Sequence, residues 1–317
     1  MIVASAPTRL DFGGGWTDVP PFPEERGGFV CNLAIERRAT VRLQLSADAP
    51  PPNDPLVAAA MRYAGVGGAR VHVHSDFPVG AGLGGSSALG VALQAALAAA
   101  RGAQRNSQEL AEASRAAEVE ELGVAGGFQD HYAAAFGGAL GLTLTTRRHA
   151  APIALSSTAV AALEARVCVI YTGESRISAE TITAVLSAYR ERVPRVVLAL
   201  DRMRDLAVSM AEALHAGTIS ELAGLVDEHW VHQQSLHPGI TTPRITAIEQ
   251  TVRAAGAQGF KALGASGGGC VLVIGPVESM PAIRHAAAEL GDVLDWRVAR
   301  EGVLVSTVPD EGLDARG

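Results

Sequence analysis

The sequence predicts an α+β protein in two parts. A strand pattern, Val71-His72-Val73-His74, runs through the glycine stretch Val79 to Ser87 into the apolar helical pattern Ala88-Leu89-Gly90-Val91-Ala92-Leu93. Between Thr146 and Ala162 the periodicity lapses into Arg147-Arg148-His149 and a Ser/Thr/Pro stretch, and helices and strands resume beyond it. At 317 residues the chain suits one large or two moderate domains. These observations place a boundary in the lapse and give segments 1–155 and 156–317.

In chain order, Val30 to Ile35 and Thr40 to Leu45 read as strands, the second alternating Val41, Leu43 and Leu45 inward against Thr40, Arg42 and Gln44 outward. Pro50-Pro51-Pro52 breaks the chain before a helix over about Leu56 to Tyr63, and Val71 to His74 is the next strand. Ser86 to Ala100 is a helix apolar nearly all round, hence buried, with alanines that permit close approach. Ser107 can cap a further helix to about Leu122, Gly126-Gly127 interrupts it, and a helix from about Gln129 to Phe136 precedes a strand over Leu140 to Thr145. In the second part, Val167 to Tyr171 and Val271 to Ile274 read as strands. The stretch from about Val196 to Ala255 is helical, with breaks at Gly217 and Pro238-Gly239. A helix at about Met280 to Leu290 and strands near Trp296 to Ala299 and Val303 to Val308 close the chain. This half suggests a small sheet layered against helices.

Composition narrows the functional class. Hydrophobic residues at 48% and charged ones at 19% fit a soluble globular protein, and a net charge of −7 argues against a bulk nucleic-acid binder. A small anionic ligand therefore needs a local site. Three widely spaced cysteines, Cys31, Cys168 and Cys270, have no metal-ligand spacing and read as packing residues in a reducing, cytoplasmic setting. The N-terminus does not read as a signal peptide or lipidation site, and no apolar stretch suits a bilayer.

The glycine stretch Val79-Gly80-Ala81-Gly82-Leu83-Gly84-Gly85-Ser86-Ser87 carries the strongest chemical signal. Glycines let backbone N–H groups close on an anion, and a helix start leaves unpaired N–H donors at the positive end of its dipole. Gly80-x-Gly82-x-x-Gly85 fits the dinucleotide fingerprint literally, but the chain about 20 residues on is a polar break where that fold needs a strand ending in an acid. A Walker loop is also excluded, because Ser follows the last glycine and Lys261 is the chain's only lysine. A plain turn joining strand to helix is the alternative.

Three further stretches stand out. Pro7-Thr8-Arg9-Leu10-Asp11-Phe12-Gly13-Gly14-Gly15-Trp16-Thr17-Asp18 flanks flexible backbone with a cation, two carboxylates and an indole, the mix a sugar site wants; a glycine turn with a buried Trp is the alternative. Gly126-Gly127-Phe128-Gln129-Asp130-His131-Tyr132 follows Glu118 and Glu120; alone, Asp130 reads first as a helix N-cap. Lys261-Ala262-Leu263-Gly264-Ala265-Ser266-Gly267-Gly268-Gly269-Cys270 offers a backbone able to hug a ligand or another segment.

Together these stretches resemble, in order and spacing, the three signatures of the GHMP small-molecule kinases, the superfamily of galactokinase, homoserine kinase, mevalonate kinase and phosphomevalonate kinase. The resemblance spans nearly the whole chain. It implies an N-terminal domain of the ribosomal-protein-S5-like kind, a ferredoxin-like C-terminal domain, and ATP and Mg²⁺ as donor and metal. Val79 to Ala88 corresponds to the phosphate loop, so Gly80, Ala81, Gly82, Leu83, Gly84, Gly85, Ser86 and Ser87 would bind nucleotide. By the same correspondence Ser86 and Glu118 would hold Mg²⁺, Asp130 would face the acceptor hydroxyl, and Arg9 would stabilise charge beside it. Asp18 would hold sugar hydroxyls, with Trp16, Thr17, Gly267 and Gly268 also at the substrate.

Asp11 to Pro21 with Gly27 to Asn32 resembles L-fucokinases. Phe12 with its triple glycine, Pro20-Pro21-Phe22 and Gln129-Asp130-His131-Tyr132-Ala133-Ala134-Ala135 resemble D-glycero-D-manno-heptose 7-phosphate kinases equally well. Both phosphorylate an anomeric hydroxyl. The expectation is a sugar 1-kinase with heptose 7-phosphate first, and L-fucose, another free sugar or a uronic acid behind it. Gln233 and Gln234 stand where heptose kinases commonly carry a Lys, so a substrate phosphate would need arginines. A diphosphomevalonate-type decarboxylase and a sensor that lost catalysis are the readings from other classes. Expected partners are a sugar or sugar phosphate, with no nucleic acid and no membrane; a homodimer is left open. His72 and His74 read as solvent-facing. His229 and His232 read as packing or as a pocket rim, and Arg190, Arg192, Arg195, Arg202 and Arg204 as a solvated helix face.

Overall fold

The computed structural model describes residues 1–123, 126–174 and 179–309. The first half holds β1 (Ile2–Gly13), α1 (Phe22–Arg26), β2 (Gly28–Leu45), α2 (Pro55–Tyr63), β3 (Ala69–Ser75), α3 (Gly85–Ala100), α4 (Ser107–Ala116), α5 (Gln129–Phe136), β4 (Ala139–Leu144) and β5 (Arg148–Ile153). The second holds α6 (Ser157–Arg166), β6 (Val167–Tyr171), α7 (Ala179–Arg190), α8 (Pro194–Ala216), α9 (Ile219–Leu236), α10 (Pro243–Ala254), β7 (Gly259–Ala262), β8 (Cys270–Ile274), α11 (Met280–Ala288), β9 (Asp292–Leu294) and β10 (Leu304–Thr307). A π-helical turn, Ala117–Glu121, continues α4.

Two antiparallel sheets organise the chain. The first runs β10-β1-β2-β4-β5 with β3 also on β2, and the second runs β7-β8-β6-β9. β2 is long enough to serve three partners: β1 along most of its length, β4 over Gly28–Leu33 and β3 over Ala39–Leu45. Helices α2 and α3 pack on the first sheet through Leu56, Val57, Val91, Leu93 and Leu97, with Val41, Leu43 and Leu142 from the strands. α3 is buried along most of its length, so its alanines set how closely it lies on β1 and β2. A second apolar cluster joins the halves, with Leu10, Phe12, Leu33 and Ile35 meeting Val167, Val169, Leu206, Met210 and Leu272. Each such side chain contributes about 1.5–3 kcal/mol on burial, so the two sheets are held together by core rather than by a linker.

Several expectations change. Val30–Ile35 and Thr40–Leu45 are parts of one strand. The stretch expected as flexible backbone is β1 down to Gly13, with Arg9 and Asp11 only 3% and 2% exposed. Sequence alternation cannot show this, because both charges are satisfied by other segments. The lapse at 146–162 contains β5, an edge strand of exposed and half-buried residues, and α6, capped by Ser156. Neither presents a strong periodic face. The expected strand at Trp296–Ala299 reduces to a single bridge between Val298 and Ile35; the strand there is β9, just upstream. α7 had no counterpart in the sequence reading. Asn106, with Glu109 in a capping box, caps α4 in place of Ser107. β10 returns from the C-terminal part to pair with β1.

The cysteines are free and buried, as expected of packing residues. Burial pushes the Cys168 thiol up to about 11 and the Cys270 thiol up to about 12. His72 and His74 are exposed on β3. Among the described residues no helix is long and apolar enough to cross a membrane.

Candidate active site

The glycine loop between β3 and α3 takes left-handed backbone at Gly80, Gly82 and Gly84, with φ of 70°, 71° and 75°. No side chain caps α3, and the first main-chain bond into it is Ala88 N–H to Gly84 O. The amides of Gly85, Ser86 and Ser87 are the unpaired donors of its first turn, which suits an anion.

The C-terminal glycine segment packs directly on this loop. Cys270 N–H donates to Ala81 O at 2.7 Å, and a Cβ at Gly82 would lie 2.8 Å from Leu263 O. Its glycines are therefore explained in part by backbone lying on backbone. Gly267 N–H donates to Ile240 O at 3.0 Å, and a Cβ at Gly268 would lie 2.7 Å from Glu174 O. Gly264 and Ala265 are the members of this segment that line the pocket described next.

Arg9, on β1, reaches across to the loop. Its N–H donates to Leu83 O at 3.0 Å, Nη1 donates to Gly82 O at 2.6 Å, and Nη2 lies 2.7 Å from Asp130 Oδ1. Asp130 sits in the first turn of α5, whose N-cap position is Phe128, so Asp130 is not the cap. A Cβ at Gly84 would lie 3.0 Å from Asp130 Cγ. Loop, cation and carboxylate thus meet at one point, and they open on a pocket of ≈ 160 Å³ lined by Arg9, Trp16, Asp18, Gln129, Asp130 and Ile182 with glycines between them.

Gly84→Ala is expected to cost about 1–2 kcal/mol from left-handed backbone and also to push Asp130 aside. Gly102 shares the left-handed φ, 69°, but none of the described residues lies within 4 Å of its added Cβ. Denaturation should show similar stability losses for Gly84→Ala and Gly102→Ala, and kinetics a loss of kcat for Gly84→Ala alone.

Asp18 Oδ2 accepts the N–H groups of Phe128 and Gln129 at 2.8 and 2.9 Å. Burial outweighs these bonds and pushes its carboxyl up to about 6, with Asp130 and Asp11 adding to the rise. The ionised form is the hydroxyl acceptor, so affinity for a polyol should improve as pH rises through about 6. Stability runs the other way. A raised folded pKa favours the fold most below the unfolded value of 3.8, and that advantage is lost as pH rises through about 6, on the order of 3 kcal/mol by neutrality. Asp18→Asn should therefore raise stability at pH 7–8, as denaturation would show, while flattening the pH dependence of substrate KM.

Trp16 and Gln129 are each 7% exposed, and among the described residues Trp16 Nε1 and Gln129 Oε1 have no partner. Orphaned polar atoms at a pocket wall are a ligand signal. Thr17 is fully buried with its hydroxyl on Gly14 O at 2.7 Å, so it braces the turn rather than facing the pocket. His229 is fully buried and accepts the Gly14 N–H on Nε2 at 3.0 Å; burial holds it well below the usual imidazole range, which suits an acceptor. His232 is half-buried. Of the arginine run, Arg192, Arg202 and Arg204 form ion pairs with Glu25, Glu228 and Asp201.

Ser86 Oγ donates to Glu118 Oε1 at 2.7 Å, the carboxylate being presented by the π-helical turn. Burial alone would raise the Glu118 pKa, but bonds from His131 and Ser86 reverse this and hold it below its ordinary value. A hydroxyl and one carboxylate beside open helix amides fit Mg²⁺, which keeps several waters and takes phosphate oxygens as ligands. Among the described residues no group of three or more His, Cys, Asp or Glu could hold a metal by itself.

Three residues of this region had no role in the sequence reading. Gln129 and His131 flank Asp130 in the motif. Lys261 heads the third glycine stretch and is the chain's one lysine, and that singularity is the available signal.

Residues 55–138 match the family described as GHMP kinases N terminal domain, and residues 210–293 match GHMP kinases C terminal. The chain belongs to the GHMP kinases. The D-glycero-alpha-D-manno-heptose 7-phosphate kinase of Campylobacter jejuni is 25% identical to this GHMP kinase over 333 residues, covering 95% of this chain and 98% of that one. The bifunctional fucokinase/GDP-fucose pyrophosphorylase of Arabidopsis thaliana is 26% identical over 84% of this chain, which spans 29% of the plant protein's length. A solved D-glycero-D-manno-heptose 1-phosphate kinase from Bacteroides thetaiotaomicron superposes with a TM-score of 0.79 at 20% identity, covering 98% and 100% of the two chains. The architecture is the two-domain GHMP kinase fold.

Proposed function

We propose that this GHMP kinase transfers the γ-phosphoryl group of ATP to the anomeric hydroxyl of a sugar, with D-glycero-D-manno-heptose 7-phosphate as first candidate. The observation that carries the reading is the meeting of the glycine loop, Arg9 and Asp130 at the mouth of one small pocket. Whole-length similarity to the Campylobacter kinase supports the heptose choice.

In this reading the open amides of α3 and the loop glycines hold the donor's β- and γ-phosphates. Asp18, Gln129 and Trp16 orient the sugar through its hydroxyls, with the indole covering a C–H face. Asp130 orients the acceptor hydroxyl and takes its proton as the hydroxyl oxygen bonds to the γ-phosphorus and the bond to the β-phosphate oxygen breaks, leaving ADP. The guanidinium of Arg9 fixes the direction of that carboxylate and lies beside the charge in transfer. Ser86 and Glu118 would hold Mg²⁺, which supplies charge neutralisation on the phosphates when bound. The pocket roles of Gly267 and Gly268 stay proposals, to be read through substrate KM in alanine variants.

A free sugar such as L-fucose is the second reading, and one observation favours it. Arg9 is the only cation among the described residues lining the pocket, and Asp130 and Gly82 O already engage it. Arg115, half-buried with an Nε that has no partner among the described residues, donates to Gly126 O at the pocket wall at 3.3 Å and is a cation a substrate phosphate would need to recruit. Comparing kcat/KM for heptose 7-phosphate and L-fucose decides between the two.

A further inference from the structure

His131 is 3% exposed, and both its ring nitrogens are engaged. Nε2 lies 3.1 Å from Glu118 Oε2 and 3.3 Å from Ser87 Oγ, and Nδ1 lies 2.9 Å from Ser114 Oγ. A carboxylate can only accept, so Nε2 carries the proton toward Glu118, and in the neutral ring Nδ1 accepts from the Ser114 hydroxyl. One imidazole therefore ties together α3 behind the phosphate loop, α4, the π-helical turn and α5. With Ser86 on Oε1, it leaves neither Glu118 oxygen free to turn. It also follows Asp130 directly in α5, so the two carboxylates are registered to each other through a single backbone step.

We propose that His131 is the positioning residue that fixes the Glu118 carboxylate in the orientation a nucleotide-bound divalent cation requires, and that it locks this carboxylate in register with Asp130. The proposal rests on the kinase reading above. Its physical basis is general: a ligating carboxylate left to rotate must be re-ordered when the cation binds, and losing such a supporting hydrogen bond costs about 10–100-fold in metal affinity.

The test uses the intact protein and binding rather than turnover. Affinity for a non-hydrolysable ATP analogue is measured by calorimetry with Mg²⁺ and with EDTA, for wild type, His131→Gln and His131→Asn. Gln can place an N–H donor near the Nε2 position, whereas Asn reaches only the Nδ1 position. His131→Asn should lose about 10–100-fold of the Mg²⁺-supported affinity with its affinity in EDTA unchanged, and His131→Gln should recover most of the loss. In the Glu118→Gln background, His131→Asn should add nothing. Equal Mg²⁺ dependence in wild type and His131→Asn overturns the proposal, as does an equal loss in both buffers, which would mark a role in packing the loop. Should His131→Asn not fold, Ser114→Ala carries the test. It frees the far side of the ring and should give a smaller Mg²⁺-specific loss; no such loss overturns the proposal. Absence of nucleotide binding by wild type in either buffer would overturn the kinase reading itself, and this proposal with it.

Discussion

Asp130→Asn is expected to lower kcat by about 10²–10⁴-fold while leaving the affinity for a non-hydrolysable ATP analogue unchanged. The substitution keeps size and shape, and the Asn carbonyl can still accept from Arg9, so the ion pair at 2.7 Å becomes a hydrogen bond rather than a gap. It removes the ability to take a proton from the acceptor. Asp130 is suited to that task by position: its side chain is 28% exposed at a pocket wall, whereas its partner Arg9 is 3% exposed and pinned to the loop carbonyl of Gly82. Steady-state kinetics with calorimetry on the same preparation check the expectation. Unchanged turnover would remove Asp130 from the chemistry. A parallel loss of nucleotide binding would show that it serves instead as packing under Gly84.

Lys261→Met is expected to destabilise the fold by about 3–5 kcal/mol. Lys261 is fully buried at the junction of the sheets, and its Nζ donates to Asp11 O, Asp11 Oδ2 and Phe12 O at 2.8, 3.0 and 3.4 Å. Burial pushes its ammonium pKa down, Asp11 pushes it back up, and the balance lies below the ordinary lysine range. The pair is therefore no large source of stability; the cost arises when one partner is removed and the other charge stays buried. Asp11 is 2% exposed and its Oδ1 already has no partner among the described residues, so none of these replaces the ammonium. Asp11→Asn combined with Lys261→Met should accordingly lose less than Lys261→Met alone. Chemical denaturation of the three variants gives the cycle, and a near-native Lys261→Met would sink this account of the pair. Because Asp11 lies two residues from Arg9 on β1, Lys261→Met should also lower kcat in whatever fraction stays folded.

What the sequence showed and what it hid divides along one physical line. Glycine chemistry is local, so the loop before α3 and its helix start could be read directly from Gly80 to Ser87. The helices α2, α3, α8, α9 and α10 were legible because each carries an apolar face and a Gly, Pro or polar stop. β1 was not, since Arg9 and Asp11 look like loop residues until their partners Asp130 and Lys261 arrive from distant segments. The third motif leaves a ligand and another chain segment open as what its backbone hugs, and much of its glycine content serves contact with Ala81, Gly82 and Glu174. His131 has no role legible in its motif because its value lies in Glu118, Ser87 and Ser114, which only the packing of three helices and a π-helical turn brings to one ring.

Coupled ADP release across heptose 7-phosphate, L-fucose, galactose, mannose and uronic acids, with the product's phosphate located by NMR, probes the central claim most directly. The proposed function predicts turnover with at least one of these sugars and phosphate on its anomeric oxygen. ADP release with none of them while sugar still binds, CO₂ release from mevalonate diphosphate, or phosphate on any other hydroxyl would contradict it.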